Sequence, residues 1–213
     1  MFESKYEERG PVDLPDFSGI RVMMMPLILG IGDSIPPMLD RWCSTLAQLF
    51  AFCPQHHGKV GYLTIDEKHV KASTTHRRAG LHVDGVLDGR AGGWGGGGGG
   101  GGWGASGTGM LTVSTPAGCR AWRGTLNGWP GNDGECDHLR DQLGEGELFK
   151  PNICYWVDGL CVHESIPMKN DVDRTFCRLS MPSTAPWFEG YTNNPLGIKP
   201  TGPILPPRKY MMS

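Results

Sequence analysis

The sequence lacks a long hydrophobic run, which argues against a membrane partner. No apolar segment approaches the ~18 residues that a bilayer-spanning helix requires. The first residues, Met1 to Arg9, are charged and do not contain the apolar stretch of a signal peptide. We therefore expect a protein with neither a secretory signal nor a transmembrane segment.

An excess of positive charge is also absent. The 20 lysines and arginines against 22 aspartates and glutamates give a formal net charge of -2. Proteins that bind nucleic acid non-specifically carry a broad basic surface. This charge balance makes nucleic acid an unfavourable partner.

The cysteines lack a pairing pattern. There are seven of them, an odd number, and no C-x-x-C motif occurs. Cys154, Cys161 and Cys177 lie in apolar runs, where a free thiol behaves as a small hydrophobic group. This usage is typical of a reducing compartment and predicts a cytoplasmic protein.

Glycine is abundant but has no G-X-Y period, which excludes collagen. Of the 213 residues, 33 are glycine, about twice the usual share of ~7%. Trp94 and Trp103 interrupt the densest run, and we assign residues 92–109 to a Gly/Trp-rich insertion. It is either a lid that carries both tryptophans over a substrate or a linker-like segment. The length of 213 residues predicts one domain, 1–213.

Short strand-like runs separated by turn signals predict a mainly β fold. We count about eight of them, among them Lys59 to Asp66 and Arg174 to Met181. One amphipathic helix begins near Pro36 and ends before Pro54. This order favours an antiparallel sandwich or jelly-roll barrel with one main supporting helix over a βαβ fold.

Both termini are expected to lie outside the barrel. Residues 1–18 are polar and predict an N-terminal arm on the surface. Residues 183–213 are rich in proline, glycine and asparagine and predict an extended tail. The tail runs over the body or over a neighbouring subunit, and the second arrangement would give a homo-oligomer.

Three residues have the chemistry of a metal site. His82 and Asp84 are two apart in a strand-like run (residues 79–87), so their side chains would point to the same face. His163 ends the strand that follows the Asp158-Gly159 turn signal. Two imidazoles and one carboxylate suit a non-haem iron(II) centre with positions left open.

Two arginines follow on one face of a later strand. Arg174 and Arg178 are four residues apart in RTFCRLS, so they share a face with Phe176 and Ser180. Buried arginines are costly unless they are paired with anions, and a dicarboxylate suits guanidinium groups. A surface acid such as Asp171 is the alternative partner.

The segments GLHVDG, YWVDGLCVHESIP and DRTFCRLS together resemble the iron(II)- and 2-oxoglutarate-dependent oxygenases, over roughly Val60 to Pro182. The resemblance implies a double-stranded β-helix, a cupin-like jelly roll, with Fe(II), 2-oxoglutarate as co-substrate and O2. It implies that His82, Asp84 and His163 are the catalytic iron ligands. Arg174 would bind the far carboxylate of 2-oxoglutarate.

The resemblance leaves other residues with two interpretations each. Arg178 would hold an acidic group of the substrate, or would bind 2-oxoglutarate together with Ser180. Tyr62 would hydrogen-bond 2-oxoglutarate or pack in the sheet. Trp122 would line the substrate pocket, with Trp94 and Trp103 above it, or belong to the barrel core.

The implied reaction is hydroxylation, desaturation or cyclisation of a small polar molecule, with carboxylate-bearing molecules among the candidate substrates. Halogenases of the family replace the carboxylate ligand by a small residue, so the presence of Asp84 argues against halogenation. Two alternatives remain open: a cupin-like metalloenzyme that does not use 2-oxoglutarate, and a non-catalytic jelly-roll binding module.

Overall fold

The computed structural model describes residues 1–85, 109–131, 134–183 and 185–207. Trp94 and Trp103, with residues 92–108 of the predicted insertion, lie outside the described residues. The choice between a lid and a linker therefore stays a prediction.

Strands dominate the described residues, which contain one α-helix, α1 (Cys43–Ala51). The first six strands are β1 (Phe2–Ser4), β2 (Tyr6–Pro11), β3 (Arg21–Ile28), β4 (Val60–Val70), β5 (Gly109–Thr115) and β6 (Cys119–Ala121). The others are β7 (Gly124–Leu126), β8 (Glu147–Leu148), β9 (Ile153–Asp158), β10 (His163–Ser165), β11 (Val172–Ser180), β12 (Trp187–Phe188) and β13 (Ile204–Leu205). This composition confirms the predicted mainly β class with one main helix.

The largest sheet has six antiparallel strands in the order β2-β9-β5-β11-β4-β3. A smaller antiparallel sheet has the order β10-β6-β8, and β1-β7 and β12-β13 form two further pairs. Within the described ranges no sheet closes on itself, and β2 and β3 remain the edges of the large sheet.

The two faces of the large sheet differ because side chains alternate along each strand. One face carries apolar side chains such as Ile65, Cys177 and Leu179, which form the main core with Leu46 and Leu49 of α1. The apolar side of the amphipathic helix α1 thus packs against this face of the sheet.

The opposite face is polar and buried. Arg178 on β11 lies opposite Thr64 on β4 and Thr112 on β5, and all three side chains are buried. His163 at the start of β10 and Cys119 on β6 line a cavity together with Arg174 and Arg178 of β11. The small sheet thus lies across the polar face.

The predicted helix is shorter than its apolar spacing suggested. Proline occupies the first turn of a 3-10 helix at Pro37–Trp42, and the α-helix begins only at Cys43. Proline has no N–H to donate, so it is favoured at a helix start. As predicted, the helix ends before Pro54.

The segment expected as a strand at residues 79–87 is not one where the structure describes it. His82 forms only isolated bridges, to Glu135 and to His163. Gly80 has φ of +77°, a left-handed backbone conformation that interrupts an extended strand.

Residues 1–18, expected as a surface arm, contribute two strands. β2 pairs with β9 at the edge of the large sheet, and β1 pairs with β7. The alternating side chains of Phe2, Ser4 and Tyr6 are buried, which explains why this polar-looking segment joins the sheets.

The described part of the tail lies on its own chain. The Trp187 indole N–H donates to the Met24 carbonyl at 2.8 Å, and the Asn194 amide donates to the Pro26 carbonyl at 2.9 Å. A homo-oligomer formed through the tail stays a prediction. None of the helices in the described ranges has the length and apolar character to cross a membrane.

Candidate metal centre

Three side chains converge at the cavity between the two sheets. The candidate ligand atoms of His82, Asp84 and His163 all lie within 4.8 Å of one another. A pair of backbone hydrogen bonds, each 2.9 Å, joins His82 to His163 and brings their ring centroids to 4.4 Å. This group, predicted from the sequence, could hold a metal ion.

Both imidazoles are oriented by their own backbone. Nδ1 of His82 donates to the Gly80 carbonyl at 2.8 Å, and Nδ1 of His163 donates to the Cys161 carbonyl at 2.9 Å. A proton on Nδ1 leaves the lone pair on Nε2, as in histidines that bind metals. Burial, and then His163, lower the pKa of His82 to about 3, so its ring stays neutral and able to bind a cation.

Asp84 is an ionised carboxylate in a buried place. Burial alone would raise its pKa, but His163 and Arg178 outweigh burial and lower the pKa to about 2. Arg178 Nη1 donates to Asp84 Oδ2 at 3.0 Å. The structure thus places Arg178 on the candidate ligand Asp84, where it orients the carboxylate and balances its charge.

The cavity beside these ligands has a volume of about 40 Å³. About 10–15 Å³ of such space holds one water molecule, so this cavity fits an ion with water. It is small beside the ~300–1,000 Å³ that is typical of ligand pockets. Besides the three candidate ligands the walls include four arginines: Arg77, Arg78, Arg174 and Arg178.

Arg174 is a buried cation held by uncharged groups. It is 1% exposed, and among the described residues it forms three hydrogen bonds, with the Pro116 carbonyl (3.2 Å), Ser114 Oγ (3.0 Å) and His76 Nδ1 (2.9 Å). Burial lowers the pKa of Arg174 to about 10, so the guanidinium stays charged at neutral pH. A buried charge held by neutral partners is expensive, and an anion in the cavity would compensate it.

Two residues near Arg174 were missed by the sequence interpretation. Asp66 Oδ2 accepts from Arg77 and lies 3.4 Å from His76 Nε2. Burial alone would raise the pKa of Asp66, but His76 and Arg77 hold it well below its usual range. The alternation along β4, which places Asp66 on the face of Thr64, is the signal that could have found it.

The other predicted site residues that the structure describes, Tyr62, Trp122 and Ser180, are not among the residues that line this cavity. The Tyr62 hydroxyl is 2.9 Å from Thr201 Oγ1 in the tail. Trp122 donates its indole N–H to the Gly144 carbonyl at 2.8 Å and packs in a separate apolar cluster. Ser180 is buried, and its hydroxyl has no hydrogen-bond partner among the described residues.

Comparisons with known proteins do not place the chain in a family. No family model matches it, and no significant match was found among curated proteins or solved structures. Its function is therefore argued from the site itself.

Proposed function

We propose that this chain is a non-haem iron(II)- and 2-oxoglutarate-dependent oxygenase that oxidises a small polar molecule. The observation that carries the proposal is the position of Arg174. This buried guanidinium, whose hydrogen-bond partners are uncharged, lines the same cavity as His82, Asp84 and His163.

The donor set fits iron(II). Two imidazoles and a carboxylate are the three-ligand set of non-haem iron(II) oxygenases, which leaves open positions for a co-substrate and oxygen. Iron, when bound, supplies the oxygen activation that side chains cannot supply. The protein's share is to hold the ligands, keep Asp84 ionised through Arg178, and exclude water.

The charge of the cavity favours a dianionic co-substrate. Among the described residues, four arginines and one carboxylate, Asp84, line it, so this part of the wall carries an excess of positive charge even before a divalent ion is added. A dicarboxylate would bind the ion through one end and Arg174 through the other. Guanidinium groups hold carboxylates through two parallel hydrogen bonds, which gives orientation as well as affinity.

The arrangement of the two larger sheets supports a double-stranded β-helix as the fold. The six-stranded and three-stranded sheets face each other across the cavity, and α1 packs on the outer face of the larger one. We take the two sheets as the halves of that barrel.

Ferrous iron and free thiols both require reducing conditions, which favours the cytoplasm.

The reaction outcome follows from Asp84. With a carboxylate in the ligand set, we expect hydroxylation, desaturation or cyclisation of the substrate rather than halogenation. Arg77 and Arg78 at the cavity wall would attract a substrate that itself carries a carboxylate.

One observation favours a second candidate, a cupin-like metalloenzyme that does not use 2-oxoglutarate. The cavity of about 40 Å³ admits a metal-bound water or a very small ligand without movement of the walls, whereas 2-oxoglutarate needs more room.

Anaerobic spectroscopy separates the two candidates. We expect iron(II) and 2-oxoglutarate together to produce a visible charge-transfer band with the wild type and with a surface control, His138→Asn. His163→Ala should produce none. Oxygen should then release succinate when a substrate from a panel of small acids is present. Iron binding without the band supports the second candidate and contradicts the oxygenase.

A further inference from the structure

We infer that His76 is a positioning residue that fixes the guanidinium of Arg174 toward the cavity, through the buried chain Arg174–His76–Asp66. The inference deepens the proposed function and rests on it where the anion is 2-oxoglutarate. His76 does not touch the metal ligands in any described contact, so its role is to hold Arg174.

The hydrogen-bond chemistry fixes the tautomer of His76. A guanidinium nitrogen can only donate, so His76 Nδ1, 2.9 Å from Arg174 Nη1, must accept and carries no proton. In a neutral ring the proton then lies on Nε2. This nitrogen forms no hydrogen bond with the described residues, but it lies 3.4 Å from Asp66 Oδ2, an ionised group that favours a proton there electrostatically.

The surroundings keep the ring neutral. The His76 side chain is 1% exposed, and burial lowers its pKa. Asp66 acts in the opposite direction, while Arg174 and Arg77 lower the pKa further. A protonated ring would also present a donor to Arg174 in place of an acceptor, which would break the contact.

The hydrogen bonds of Arg174 with its neighbours leave a defined set of its N–H groups for a ligand. Of its five N–H groups, three are engaged by the Pro116 carbonyl, Ser114 Oγ and His76 Nδ1. Two remain for an anion, judged from the described residues. Two of the contacts come from the end of β5 and one from the distant His76, so the orientation of the guanidinium is set before the anion arrives, which reduces the entropy lost on binding.

Two substitutions separate positioning from packing. The amide of Asn lies where Nδ1 of the imidazole lies, so His76→Asn keeps an acceptor for Arg174. The amide of Gln lies where Nε2 lies, so His76→Gln keeps only the contact to Asp66. Gln is closer to His in volume, so a residue that merely fills space would be replaced better by Gln.

The assay is calorimetry of 2-oxoglutarate and of succinate binding to the Mn(II)-loaded protein under nitrogen. We expect His76→Asn to bind both anions about as well as the wild type. His76→Gln and His76→Phe should bind them about 10- to 100-fold more weakly, the effect of losing a hydrogen bond to a charged group. Mn(II) affinity should stay unchanged in all three variants.

A second readout needs no ligand. The Nε–H resonance of Arg174, assigned by its loss in Arg174→Lys, should be protected from solvent exchange in the wild type and in His76→Asn. It should lose protection in His76→Gln and His76→Phe. Equal protection in all of them, or better anion binding by His76→Gln than by His76→Asn, overturns the inference. Failure of the wild type to bind 2-oxoglutarate, with the Nε–H pattern as expected, contradicts the proposed function and leaves the positioning of Arg174 supported.

Discussion

The buried pair of Asp84 and Arg178 should stabilise the metal-free protein strongly. Their side chains are 8% and 3% exposed, and the nitrogen and oxygen are 3.0 Å apart. Asp84→Asn removes the negative charge that lies 3.0 Å from the buried guanidinium. Breaking a buried pair in this way costs ~3–5 kcal/mol. We expect a loss near ~3 kcal/mol, because the Asn carbonyl can still accept from Arg178.

Arg178→Met supplies the second side of a double-mutant cycle. The Arg178 nitrogens approach the sulfurs of Met110 and Met24, so another methionine has a suitable environment. Each single variant leaves one buried charge, whereas the double variant leaves none. The double variant should therefore lose less stability than the sum of the two, by ~2–3 kcal/mol.

Urea unfolding in the presence of EDTA measures these free energies, with the midpoint compared at an unchanged slope. A cost below ~1 kcal/mol for Asp84→Asn is what an exposed ion pair would show. That result, or strict additivity in the cycle, would refute the view that Asp84 and Arg178 compensate each other in a dry site.

Three further predictions concern single residues. Gly118→Ala places a Cβ 2.7 Å from Arg174 Nε, so the guanidinium must shift. We expect calorimetry to show about tenfold weaker 2-oxoglutarate binding with unchanged Mn(II) affinity. Unchanged 2-oxoglutarate binding would contradict this prediction. The pKa of Asp66 is depressed below its ordinary value of 3.8, so its contribution to stability is present above that pH and is lost as the pH falls below it. Urea midpoints measured from pH 7 down to pH 3 should therefore fall less steeply in acid for Asp66→Asn than for the wild type. Tyr62→Phe removes the hydrogen bonds with Thr201 Oγ1 and with the Thr201 N–H, and should cost ~0.5–1.5 kcal/mol for each bond in urea unfolding, with unchanged anion affinity. Weaker anion binding would support the sequence-based role of Tyr62 as a 2-oxoglutarate ligand.

The alternation of side chains made part of the site predictable. Arg174 and Arg178 share one face of β11, as their even spacing required, and Asp84 and His82 converge with His163. The shared face of Arg174 and Arg178 depends on local geometry of period two, which the sequence carries directly. The convergence of His82 and Asp84 with His163 was predicted correctly although their segment is not a strand.

Long-range contacts account for most of what the sequence did not predict. His82 forms an isolated bridge to His163 and does not lie in a strand. The sequence around His82 could not predict this bridge, because it depends on where a distant segment folds. His76 lies beside Arg174 only because the segment before His82 crosses the polar face of the large sheet. No local spacing relates these two residues.

The N-terminal strands are a second feature that the local sequence did not predict. Residues 1–18 are rich in charge, which suggested a surface arm, yet β2 completes the edge of the large sheet by backbone pairing with β9. Backbone hydrogen bonds do not depend on side-chain polarity, so a charged segment can pair with an open sheet edge when its alternate side chains, here Phe2, Ser4 and Tyr6, are buried.

Metal binding tests the central claim most directly. Calorimetric titration of the metal-free wild type with Mn(II) should show one ion bound per chain, and His138→Asn, altered at an exposed histidine that contacts the Trp129 carbonyl, should bind equally well. His163→Ala should lose this binding, because it removes one of the three converging ligands. Absence of binding to the wild type, or equal binding by His163→Ala, would contradict the account.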